Sequence, residues 1–72
     1  MATKHVFSGA NLRARRKTAG YTQDSLGQKL GTRRTNVNRW ENNQRSPQPP
    51  VLLQLAEVLD CQVGDLFEAV AE

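Results

Sequence analysis

The stretch Thr22–Asn42, TQDSLGQKLGTRRTNVNRWEN, reads as two short helices broken at Gly31. Thr22 caps the first, because its hydroxyl can accept a backbone N–H that the helix itself leaves orphaned. Asp24 stands in the first turn, where the helix dipole favours negative charge. Tyr21 before the cap and Leu26 four residues past it form a hydrophobic staple. Leu26 and Leu30 share a face, and Gly27 between them is small enough to let another helix come close. Gly31 ends the helix where a left-handed backbone is needed, a conformation least costly for glycine.

The second helix starts at Arg33 or Arg34 and runs to Asn42. At about 100° per residue, Val37, Trp40 and Glu41 fall on one side. Thr35, Asn38, Arg39 and Asn42 fall on the other, with Arg34 leading in the first turn. Trp40, at its spacing from Val37, reads as core. The outer side is short of apolar groups and rich in amide donors and guanidinium forks. That composition suits the edges of bases and phosphate oxygens.

Working outward, Met1–His5 is polar and without periodicity, so residues 1–7 read as a flexible tail and 8–72 as the folded domain. Ser8 caps a helix that runs to Ala19 and stops at Gly20, with Phe7 and Leu12 stapled across the cap. Arg13, Arg15, Arg16 and Lys17 gather in its C-terminal half, where cations suit the dipole. After Trp40 comes a loop, Asn43–Pro50, with three prolines. Pro49 and Pro50 suit the first turn of a fourth helix, where missing N–H groups do no harm. Leu52, Leu55, Ala56 and Leu59 repeat at i, i+3, i+4 and i+7, an apolar stripe. Val63, Leu66, Phe67 and Val70 repeat that spacing and predict a fifth helix, with Asp65 in its first turn. The expected fold is all-α, a compact five-helix bundle.

Seventy-two residues make one domain. A chain this short buries only about 60% of its unfolded surface, so local helix–helix contacts are the economical solution. The single cysteine, Cys61, excludes an internal disulfide and reads as a buried structural thiol. With His5 as the only histidine, no metal cluster is available. Neither a leader segment nor a long apolar run is visible, so the expectation is a soluble, cytoplasmic protein with no membrane partner. No histidine lies near a nucleophile, no carboxylates pair in an apolar setting, and no glycine loop is shaped for phosphates. Neither an enzyme nor a bound cofactor is expected.

The net charge of +3 hides an asymmetry. All ten basic residues lie at or before Arg45, against only Asp24 and Glu41. The five remaining acids, Glu57, Asp60, Asp65, Glu68 and Glu72, follow without a single base. The basic part attracts a polyanion; the acidic part should face away from it or meet another protein.

The pattern resembles the phage-repressor (Cro/repressor, xenobiotic-response-element) helix-turn-helix family. The resemblance is carried by Leu12, Arg16, Gly20, Thr22-Gln23, Leu26, Gly31, Val37, Arg39-Trp40-Glu41, Pro47, Leu52, Leu55-Ala56 and Leu66. It implies a lambda-repressor-like domain whose third helix enters the major groove of operator DNA, and a transcriptional regulator, in the first place a repressor. By position, Arg34, Thr35 and Asn38 would read bases, and Arg33 and Arg39 would read bases or grip phosphates. Gln23, Asn42 and Arg45 would hold the backbone. The resemblance also implies an ion pair between Arg16 and Glu41, and a homodimer formed through the C-terminal helix at Phe67 and Val70. Where the family usually has a serine cap for the third helix this chain has Arg33. Thr32 is the nearest substitute, which would start the helix a residue earlier. Domains of this fold also serve as protein-docking modules, such as antitoxins or coactivator-like adaptors, and the acidic second half would suit that alternative.

Overall fold

The computed structural model describes residues 2–71. In chain order it contains a strand β1 (Thr3–Phe7), helices α1 (Gly9–Thr18), α2 (Gln23–Leu30), α3 (Arg34–Glu41) and α4 (Pro49–Val58), a 3-10 turn (Val63–Leu66) and a strand β2 (Phe67–Ala71). The strands pair antiparallel, from Thr3 opposite Ala71 to Phe7 opposite Phe67.

The caps form where the side chains dictate. Ser8 accepts the Asn11 N–H at the start of α1. Thr22 accepts the Ser25 N–H at the start of α2, and Ser25 reciprocates by accepting the Thr22 N–H. Gly31 closes α2 in the left-handed region, at φ 73°. The third helix does not start early: Arg33 occupies the cap position without a side-chain cap bond. Thr32 instead accepts the Asn36 side-chain amide at 2.7 Å.

Leu12, Leu26, Val37, Leu55 and Leu66 are fully buried, joined by Trp40 and Leu59. One core residue or more thus comes from each of the four helices and from the 3-10 turn. Tyr21, Leu30, Leu52 and Cys61 pack around its rim. Cys61 is half-buried on that rim rather than buried as expected, and this partial burial raises its thiol above its ordinary pKa.

The five-helix, all-α expectation is incorrect. Among the described residues there are four α-helices and a two-stranded sheet, and no fifth helix follows Leu66. The Val63, Leu66, Phe67, Val70 spacing describes one short turn followed by a strand. The Asp65 carboxylate accepts the Gln62 N–H at 2.9 Å and starts the turn, as a first-turn acid would in a helix. Beyond it, Thr3–Phe7, expected as a tail, supplies a pairing partner sixty or more residues away in sequence. Phe7 and Phe67 meet edge to face, ring centroids 6.1 Å apart at 88°. Tertiary pairing of this kind overrides a weak local helical preference. The homodimer residues move with it: Phe67 and Val70 lie on β2, not on a helix.

Candidate nucleic-acid interface

Helices α2 and α3 meet in one close approach, and a buried ion pair ties α1 to the end of α3. A Cβ on Gly27 would sit 3.2 Å from the backbone of Thr32, Arg33 and Arg34, so glycine lets the turn fold tightly onto α2. Arg16, on α1, donates from Nε and Nη2 to the two carboxylate oxygens of Glu41, at 2.5 and 3.2 Å. Its remaining Nη1 donates to the Tyr21 carbonyl at 2.9 Å. Both side chains are nearly excluded from solvent. The bidentate geometry and the third bond are what make two charges tolerable there.

With Val37, Trp40 and Glu41 turned inward, the rest of α3 stands clear of the bundle. Arg33, Arg34, Thr35, Asn38, Arg39, Asn42 and Arg45 are all exposed; Gln23 is half-buried. Four of these eight, Gln23, Arg34, Thr35 and Asn38, line one cleft of about 330 Å³ between the start of α2 and the start of α3. A guanidinium, two amides and a hydroxyl around one opening can donate to and accept from a base edge or a phosphate. Arg45 does not join them. It lines a second cleft, of about 200 Å³, with Asn36, Trp40, Ser46, Gln48 and Val51. Arg33 and Arg39 line neither of these clefts.

A polar relay connects the ion pair to that surface. Glu41 also accepts from the Gln23 amide at 3.1 Å. Gln23 in turn accepts from Asn38 at 3.4 Å, and Asn38 accepts from Asn42 at 3.1 Å. Three residues read from the sequence as separate contacts are therefore one hydrogen-bonded row. Two supporting residues escaped the sequence reading. Gly9 packs against the end of α3, and its N–H donates to the Asn43 side chain at 2.9 Å. Asn43 stands at φ 57°, in the left-handed region. The signal for it was present, since asparagine directly after a helix is the commonest non-glycine choice for that conformation.

Comparisons agree with this geometry. Residues 12–66 match the helix-turn-helix family. The HTH-type transcriptional regulator DicA of Escherichia coli (strain K12) is 36% identical over 61 residues, 85% of this chain and 45% of DicA. The chain thus spans under half the length of that relative. Among solved structures, the P22 c2 repressor in complex with a synthetic operator superimposes with a TM-score of 0.78 at 31% identity, covering 85% of this chain and 92% of that one. The restriction-modification controller protein C.AhdI from Aeromonas hydrophila gives 0.75 at 34% identity, covering 82% and 86%. By the extent of the matched residues, by sequence identity and by the placement of α2 and α3, this chain is a member of the helix-turn-helix family.

Proposed function

We propose that the protein is a sequence-specific, double-stranded DNA-binding transcriptional regulator, acting as a repressor in the cytoplasm, with α3 in the major groove. The observation that carries this is the sidedness of α3. Val37, Trp40 and Glu41 are sealed beneath it, while its arginines and amides face outward around an open cleft. The P22 c2 repressor, solved on an operator, shares this architecture. Arg34, Thr35 and Asn38 read base edges; Arg33 and Arg39 read bases or grip phosphates; Gln23, Asn42 and Arg45 hold the backbone. The second part of the proposal is a homodimer. Val70 is the apolar group on β2 left for a second copy, being 37% exposed, whereas Phe67 is turned toward Phe7.

Selection of bound sequences from random duplex DNA at physiological salt tests both parts. Enrichment of two inverted half-sites about one helical turn apart is the expected result. Recovery of unenriched sequence would defeat sequence-specific reading, and a protein-docking role would then take its place.

Two quantitative outcomes follow. Arginine forked onto guanine is the commonest specific contact, so Arg34→Ala should cost about 1–3 kcal/mol on the selected site. The loss should come with relaxed preference at one base pair, read by repeating the selection. A uniform loss across all positions would instead place Arg34 on a phosphate. Affinity should also fall steeply with salt. Each neutralised phosphate contributes about 0.9 to the log–log slope, so Arg33, Arg39 and Arg45 on phosphates by themselves contribute about −2.7 for one copy. Between about 50 and 200 mM salt, binding should then weaken at least roughly 40-fold, measurable by fluorescence anisotropy. A flat response would remove DNA backbone contact from the proposal.

A further inference from the structure

Helix α1 carries two cations that nothing described so far employs. Its phase about its own axis is set by four contacts. Gly9 abuts the last carbonyls of α3, and Arg16 reaches Glu41 at the same end. Asn11 donates to the Phe67 carbonyl, and Arg15 pairs with Asp65 at 3.6 Å. At about 100° per residue, Asn11 and Arg15 fall about 140° and 100° to one side of Arg16. Arg13 and Lys17 fall about 60° and 100° to the other side. They therefore lie away from the acidic 3-10 turn and β2, on the flank of α1 that borders the end of α3.

That flank adjoins the polar row already described. Glu41, which holds Arg16, also holds Gln23, and through it Asn38 and Asn42. Gly9 reaches Asn43, one residue beyond Asn42. Arg13 and Lys17 are both exposed, and neither is ion-paired among the described residues. They stand four residues apart in a helix that contains no acid. Like charges at that spacing destabilise a helix, and here no internal carboxylate relieves them. An external anion would.

We propose that Arg13 and Lys17 form a phosphate-gripping flank that continues the DNA contact from the Gln23–Asn38–Asn42 row onto α1. The inference rests on the DNA-binding function proposed above and extends it. The backbone of the duplex, having passed the start of α2 and the end of α3, runs on across these two side chains. The contact positions the protein on the duplex and carries no sequence preference of its own.

Single substitutions of equal charge test it. Arg13→Gln, Lys17→Gln and Arg15→Gln each remove one positive charge from the same helix. Anisotropy titrations over a salt series, on a selected duplex and on a random one, give the slope for each. Arg13→Gln and Lys17→Gln should each flatten the slope by about 1 and weaken both duplexes by the same factor. Arg15→Gln, on the opposite flank, should leave the slope in place. Unchanged slopes for Arg13→Gln and Lys17→Gln beside a steep wild type would overturn the flank while sparing the DNA-binding function. An equal flattening by Arg15→Gln would also overturn it, since only the general field of the helix would then be at work. A flat wild type would dismiss the parent function and this extension together.

Discussion

Gly9→Ala should destabilise the fold by about 2–4 kcal/mol. An added Cβ would lie 2.3 Å from the Glu41 carbonyl oxygen, 2.5 Å from that of Trp40 and 2.6 Å from the Glu41 carbonyl carbon. All three are backbone atoms, so no side-chain rotation relieves the overlap. The N-terminus of α1 must withdraw from the end of α3. Withdrawal breaks the bond from the Gly9 N–H to Asn43, worth about 1 kcal/mol net. It also pulls at the Arg16–Glu41 pair one face along. Overpacking alone costs about 1–3 kcal/mol where the surroundings can shift. The sum is about 2–4 kcal/mol, against a total of about 4–10 kcal/mol for a chain of this length. A urea titration and a thermal melt check it, with an expected fall in Tm of about 8 °C or more. Gly64→Ala is the internal control: nothing lies within 4 Å of its added Cβ. Should the two variants melt together, the packing of α1 on α3 is looser than the geometry states.

The placement of Gly9 also shows where the sequence was legible. Everything local was readable: the Ser8 and Thr22 caps, the left-handed close at Gly31, and the inward set Val37, Trp40 and Glu41. Those features depend on neighbours within a turn or two. Gly9 looked like an ordinary first-turn residue, because its reason for being glycine lies more than thirty residues away. The fifth helix failed for the same reason. Phe67–Ala71 has a helix-compatible spacing, and only the arrival of Thr3–Phe7 makes it a strand. The site divides along the same line. Sidedness of α3 follows from periodicity, so the outward residues were identifiable by position. Their connection was not: no rule of spacing links Gln23 to Asn38 and Glu41, which meet only after α2 folds back over the turn.

That connection makes Glu41 answerable for two properties at once, and the two can be separated. Glu41→Ala leaves the Arg16 guanidinium buried with only the Tyr21 carbonyl as acceptor. Stranding a buried charge costs about 3–5 kcal/mol, so this single change should rival Gly9→Ala in a urea titration. Replacing both partners by apolar residues is a different matter. Arg16→Met with Glu41→Leu removes two desolvation penalties together, and exchanges of this kind are often neutral or stabilising. Net charge is unchanged, so the long-range attraction to a polyanion is preserved. The double variant should therefore recover most of the melting temperature. It should not recover binding to the same degree. Without the Glu41 carboxylate, Gln23 loses its anchor, and the Asn38 and Asn42 amides lose the acceptor chain that orients them. One ordered hydrogen bond is worth about 1 kcal/mol, so affinity for a selected duplex should stay about fivefold below wild type. The salt slope should match wild type, because no phosphate-neutralising cation has gone. Full affinity in a stably folded double variant would mean that the relay merely fills space beneath α3. A persistent deficit at unchanged slope would assign it the orientation of the amides that face the duplex.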